Sequence, residues 1–231
     1  ALILGDNTAD VCTFNGLTHT AGGTTLSGRL QTSDDAVTLQ NLTMGTDSEI
    51  DSGTAIISIQ GSTTGTSHNL TITGDVDFTG AVSGITTFNI TGNADFASTV
   101  GTVTALTVTG NAEFNGAVTG TGSIDISGTT DINTTTITTT ATQEYSGNVT
   151  LGADAVLTGT TVTFNALLDG SGNNLTVTGN AVFEDDLSDI AVLYVSGTTA
   201  FNAASITTTG NQTYNGNVTL GANAVITADN A

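Results

Sequence analysis

The sequence contains no proline and no lysine, and Arg29 is its one basic side chain beside two histidines. Each absence excludes something. Proline removes the N–H a ladder needs, so a chain without it can donate from every strand position. One base against 21 acids leaves a formal net charge of -20. A surface of that sign cannot neutralise phosphates, which excludes nucleic acid as a partner. Anionic membrane surfaces are excluded on the same ground, and no apolar run approaches the length of a membrane span. A single cysteine, Cys12, forbids an internal disulfide. It is expected as a small buried apolar residue, with pairing between molecules as the sharper alternative. His19 and His68 are isolated, with no serine or cysteine setting for nucleophilic catalysis. Sugar-acid substrates call for Lys or Arg, and Arg29 alone is offered. Carboxylates are numerous enough for glycoside hydrolysis, but they sit at repeated positions, whereas an active site is a singular place. The expectation is a protein that is not an enzyme.

What the chain has instead is a period. Four consecutive 18-residue blocks start at Leu70, Phe88, Leu106 and Ile124: LTITGDVDFTGAVSGITT, FNITGNADFASTVGTVTA, LTVTGNAEFNGAVTGTGS and IDISGTTDINTTTITTTA. No block can bury its apolar face alone, so a short fixed period implies a stacked solenoid. The third residues are Ile72, Ile90, Val108 and Ile126, and the ninth are Phe78, Phe96, Phe114 and Ile132. Thr, Asn, Asp and Glu lie between them. Such period-2 alternation marks strands with one dry and one wet face. Gly74, Gly92, Gly110 and Gly128 follow the first strand and are expected to supply tight corners. The fold class is therefore all-β: a right-handed parallel β-helix (β-solenoid) with about 18 residues per coil. Roughly 12 coils, stacked at about 4.8 Å, would use up the chain. Residues 1–36 fit the register poorly and are set apart as an amino-terminal cap or assembly segment, with 37–231 as the repeat rod.

A longer period overlies the short one. At a 69-residue offset Asn148-Val149-Thr150-Leu151-Gly152-Ala153 returns as Asn217-Val218-Thr219-Leu220-Gly221-Ala222, and Ser127-Gly128-Thr129-Thr130 returns as Ser196-Gly197-Thr198-Thr199. The expected composition of this unit is three 18-residue coils and one of 15.

Three features carry the candidate chemistry. The eighth residues of the blocks are Asp77, Asp95, Glu113 and Asp131, with Asp75 beside the first. On outward positions about 4.8 Å apart, each adjacent pair repels by about 0.9 kcal/mol even in bulk water. Calcium is the cation that would relieve such a column, although the calcium-binding nonapeptide of other β-rolls is absent and a solvated stripe explains the same residues. Second, T-x-T ranks such as Thr71-Thr73 and Thr107-Thr109 are similar to the flat threonine faces of ice-binding solenoids, but Asn89, Asp125 and Tyr194 interrupt them. Third, the ends look open. The final copy stops at Asn230-Ala231 with no charged or helical cap, and the chain starts on the apolar run Ala1, Leu2, Ile3, Leu4. These residues, with Val225 and Ile226 in the last strand, are the candidate assembly interface.

The phrases TTTATQEYSGNVTLGADAVLTG from Thr138 and TTTGNQTYNGNVTLGANAVITA from Thr207 resemble repeats of the filamentous-haemagglutinin-like adhesins and related β-strand-repeat proteins of bacterial surfaces. The likeness runs over roughly residues 55–228. It implies a β-helix shaft, export to the cell surface, and a role in adhesion or extracellular matrix, with cell-surface or matrix glycans or proteins as partners. A first residue that is Ala1 and not Met fits a secreted, extracellular chain. The amino-terminal secretion domain of those adhesins is not evident. Two readings follow: a structural subunit that polymerises head to tail with copies of itself, or the shaft fragment of a large adhesin. An ice-binding solenoid is a third and lesser one.

Overall fold

The computed structural model describes residues 1–221 and 223–228. They form 28 strands and no helix, wound as a parallel β-solenoid of about 12 coils averaging about 19 residues. Two compact units divide the chain, residues 1–112 and 113–231.

In the first unit three parallel ladders run through successive coils. One joins Leu70, Phe88 and Leu106 in register, a second joins Ile57, Val76 and Ala94, and a third joins Thr63, Val82 and Val100. The coil from Asp77 to Asp95 keeps the period read from the blocks, whereas that from Glu49 to Thr71 is longer. One residue of the surplus enters as a register shift between Thr43 and Ser48, and the strands before that shift are already longer than the block period. Residues 1–36 are built as coils too. Leu2–Leu4 pairs with Thr24–Leu26, Val11–Phe14 with Arg29–Thr32, and Leu17 with Val37.

The inward columns are those read from the alternation. Leu70, Phe88, Leu106, Ile72, Ile90, Val108, Phe78 and Phe96 are all buried. The Phe78 and Phe96 rings stack at 5.4 Å with planes 2° apart, and Phe88 meets both edge-on. Coil spacing explains this: identical residues at one register place like rings at a stacking distance, where offset pairs add about 0.5–1.5 kcal/mol beyond burial.

The glycine column has a different cause from the tight corner expected. Gly74 alone of Gly74, Gly92 and Gly110 adopts a left-handed φ, +118°. The other two are glycine because coils touch there: a Cβ on Gly92 would lie 2.4 Å from the Gly74 carbonyl oxygen, and one on Gly110 2.4 Å from that of Gly92. Beside them side chains knit coil to coil. The Asn93 N–H donates to Asp75 Oδ1 and the Asn111 N–H to Asn93 Oδ1, both at 2.8 Å.

The second unit repeats the three-ladder plan. Its first ladder includes Ile124, Gln143, Val162, Ala181, Thr199 and Val218. Its second includes Thr130, Val149, Leu168, Leu187 and Ile206, and ends at Val225–Ala228. Its third includes Val118, Ile137, Leu157, Val177, Val195 and Tyr214. Tyr145, Phe164, Phe183 and Phe201 form a stacked column at 5.2–5.5 Å, closed edge-on by Tyr214.

These ladders overturn the expected make-up of the 69-residue unit. Val149 lies on the second ladder and its counterpart Val218 on the first; Thr130 lies on the second and its counterpart Thr199 on the first. The coils of this unit either keep the block period, as from Ala181 to Thr199, or slightly exceed it, as from Ile206 to Ile226. The short coil expected is not among those described. The repeat therefore spans eleven strand segments, with the bent strands Ala155–Phe164 and Leu175–Phe183 each covering two faces. Eleven is one short of four turns of a three-sided coil. Each copy starts one face back from the copy before it.

Local structure nonetheless follows the sequence. In one copy buried Gln143 donates to the Thr158 carbonyl at 2.8 Å and accepts from the Tyr145 hydroxyl at 3.0 Å. In the other, Gln212 donates to the Thr227 carbonyl at 2.9 Å and accepts from Tyr214 at 2.8 Å. A buried amide is tolerable only when so satisfied.

Candidate functional site

The acidic residues read as a column are outward, as the strand alternation requires. Asp77 and Asp95 are direct register partners on neighbouring strands. Partial burial, then the charges of Asp95 and Asp75, hold the Asp77 carboxyl above its ordinary range. Asp75 is spent on the Asn93 N–H. In the second unit Glu113 accepts from the Asn133 amide at 2.9 Å, and Asp131 stands opposite Thr150. Among the described residues no three His, Cys, Asp or Glu side chains gather closely enough to hold a metal ion. Chemically, the stripe offers a strained carboxylate pair and amide-bonded acids.

Other acids are fixed in the same way. The Asn69 backbone and side-chain amides both bond Asp47, and with His68 nearby they hold that carboxyl below its ordinary range. Asn174 does the same for Asp154. The remaining functional-looking groups are paired off. Arg29 lies 3.3 Å from Glu49 and against Asp51, and His19 Nδ1 is 2.9 Å from the Thr24 hydroxyl. A cavity of about 240 Å³ beside Arg29 is lined by Thr8, Asp47, Glu49 and Asn69, and is broadly open. Of the T-x-T ranks, Thr71 and Thr107 lie in register with Asn89 between them. Cys12 is half-buried and unpaired with another cysteine.

The candidate assembly residues divide by direction. Leu2 and Leu4 point inward and Ile3 outward, where it is 71% exposed; Ala1 precedes the strand. Val225 is 65% exposed, but its counterpart Val156 is exposed as well despite being flanked by coils on both sides, so Val225 is an outward side chain. Ile226 is inward, paired with buried Ile206. Asn230 and Ala231, taken as the open end, lie outside the described residues.

Reading from composition and end position picked out Ile226 but missed four inward residues of the last described coil that are less buried than their counterparts in the preceding copy. Val149 and Leu151 are buried at 1% and 0%; their counterparts Val218 and Leu220 are 42% and 51% exposed. Leu157 is fully buried, and Ile226 is 43% exposed. Gln212 and Tyr214 are half-buried where Gln143 and Tyr145 are fully so. Burial still pushes the Tyr214 hydroxyl up to about 12. Aligning the two copies at the 69-residue offset would have identified the other four as inward, because their counterparts Gln143, Tyr145, Val149 and Leu151 are buried. At the other end, Cys12 and Phe14 are inward and half-covered in the same way.

No protein-family model, no curated protein and no solved structure matches this chain.

Proposed function

We propose that this protein is a non-enzymatic extracellular structural protein, a β-solenoid subunit of the filamentous-haemagglutinin-like kind that assembles head to tail into a surface filament or matrix fibre. The observation that carries this reading is the repeated coil, whose inward columns pass from strand to strand in register within each unit, as in Phe78–Phe96 and Phe164–Phe183. An uncovered parallel ladder also offers a row of unpaired backbone groups, the usual template for strand addition. A contact between unlike ends does not close on itself, so it propagates as a filament. The acid-rich flanks favour this growth over side-by-side association, since like charges oppose lateral contact.

Purified full-length chain tested by light scattering and electron microscopy is expected to give filaments whose length rises with concentration. Deleting residues 1–12 is expected to abolish them while leaving the central coils folded. A monodisperse species of one chain mass at every concentration overturns the reading.

A further inference from the structure

We propose that the third side of the second unit binds an uncharged polysaccharide, whose sugar rings lie on Tyr194 and Val156 and whose hydroxyls meet the threonines around them. The site is on a flank of the coil, so it stands whether or not copies assemble.

Charge is sorted by side in this unit. Outward positions on the first ladder carry Asp125 and Glu144 as direct partners. Those on the second carry Asp131 and Asp169, with Thr150 between them. The third ladder is different. From Thr136 to Thr213 its outward positions hold threonine, Val156 and Tyr194. None is acidic, in a chain with 21 acids.

Apolar surface gathers where charge is missing. Val156 is 40% exposed although strands pair with it on both sides. Val192, at the corner leading into Leu193–Val195, is 39% exposed. One outward apolar group is ordinary. Here Val156 and Tyr194 share a column, with Thr176 between them. Tyr194 is also held in place, because the Asn215 amide donates to its hydroxyl oxygen at 2.6 Å. Asn215 follows the strand that pairs with Leu193–Val195, so the tyrosine side chain leans along the sheet towards the next coil. The side chain is half-buried, and the rest of it is open to solvent.

The extent of the patch decides the occupant. Val156 and Tyr194 are two strand spacings apart, about 10 Å, and Val156 and Thr158 are about 7 Å apart along the strand. The patch is therefore on the order of 100 Å², against about 800 Å² on each partner in a stable protein interface. A second copy that widened the contact would bring the acids of the neighbouring sides together. A chain of sugar rings is narrow enough. The C–H face of a pyranose packs on an aromatic ring, whose face is negative, and sugar hydroxyls bond threonine, which both donates and accepts. Acidic sugars do not fit, because the one Lys or Arg of the chain, Arg29, belongs to the other unit and is paired there with Glu49 and Asp51. The Tyr194 that breaks the threonine rank of an ice face supplies the ring that a sugar needs.

Calorimetric titration of the full chain tests the site, with dextran, mannan and a soluble β-glucan as uncharged probes and polygalacturonate as the charged one. An uncharged probe is expected to bind and polygalacturonate to fail. Tyr194→Ala is expected to weaken binding by about tenfold or more, while Tyr194→Phe, which keeps the ring, retains most of it. Glu144→Gln, on the acidic first side, is expected to leave binding unchanged. Amide exchange of Leu175–Phe183 verifies that each variant is folded. Failure of every uncharged probe to bind overturns the proposal, as does binding that Tyr194→Ala leaves intact or that polygalacturonate matches. Light scattering that shows copies pairing side by side through Tyr194 overturns it too, since the patch is then an interface between copies.

Discussion

Truncating Phe183 is the most direct test of the stacked core. The ring is fully buried, 5.4 Å from Phe164 with planes 2° apart, and 5.2 Å from Phe201. Phe183→Ala removes a whole aromatic side chain from a close-packed interior, at about 3–5 kcal/mol. It also removes two ring pairs, each contributing about 0.5–1.5 kcal/mol beyond burial. A stiff backbone ladder on either side limits collapse into the void, so the upper part of that range applies, about 5 kcal/mol. The matched control is Thr163→Ala, on an outward position next to Phe164, where a change within about 0.5 kcal/mol is expected. In a stacked repeat the damage is local. It is best read as lost amide-exchange protection in Leu175–Phe183 and Thr199–Phe201, with the strands around Thr130 unaffected. Denaturant titration gives the total. Equal losses for the two variants, or protection lost evenly along the unit, would refute the inward stacking and with it the account of the core.

Other outcomes follow from the same geometry. Gly110→Ala drives a Cβ to 2.4 Å from the Gly92 oxygen and is expected to lose about 1–3 kcal/mol in a thermal melt, whereas Gly23→Ala meets nothing within 4 Å and should be silent. Gln143→Ala leaves the buried Tyr145 hydroxyl without its acceptor and should lose about 1–3 kcal/mol, more than Gln212→Ala, whose site is half-open. For pH, Asp47 and Asp154 titrate below 3.8 in the folded chain, so their stabilisation is complete above 3.8 and is lost as the pH falls through the lowered values. Asp77 titrates above 3.8, so its contribution is present below 3.8 and lost as the pH rises through the raised value. Mild acidification from neutrality should therefore raise Tm, and Asp77→Asn should shrink that rise; an identical profile for the variant would remove the carboxylate pair from the explanation.

The inward columns were legible in the sequence because coil register and residue type agree at every level. Leu70 and Phe88 recur at the block period, as do Phe78 and Phe96, and each pair stands face to face on neighbouring strands. The face assignment of the longer repeat was not legible. Matching letters report the order of strands and corners, and Val149 and Val218 share that order. Which side a strand occupies depends on the number of strands since the last copy, which identity alone does not reveal. The glycine column was visible, but its cause was hidden, since close backbone approach leaves the same mark as a left-handed turn. The candidate interface was half-legible. Apolar letters near the ends drew attention to the inward Leu2, Leu4 and Ile226 as well as to the outward Ile3 and Val225, while the half-buried Gln212 and Tyr214 were not among them.

The eleven-strand repeat bears on how such a chain changes length. Inserting or deleting one copy keeps every strand on some ladder, so the stack survives intact, but everything downstream turns by a third of a revolution. Three copies would carry any outward motif to all three sides before it returned to the first. A lineage that grows by duplicating this unit therefore cannot concentrate a decoration along one edge. Its surface becomes uniform in azimuth, with the same mixture of threonine and carboxylate presented on all three sides.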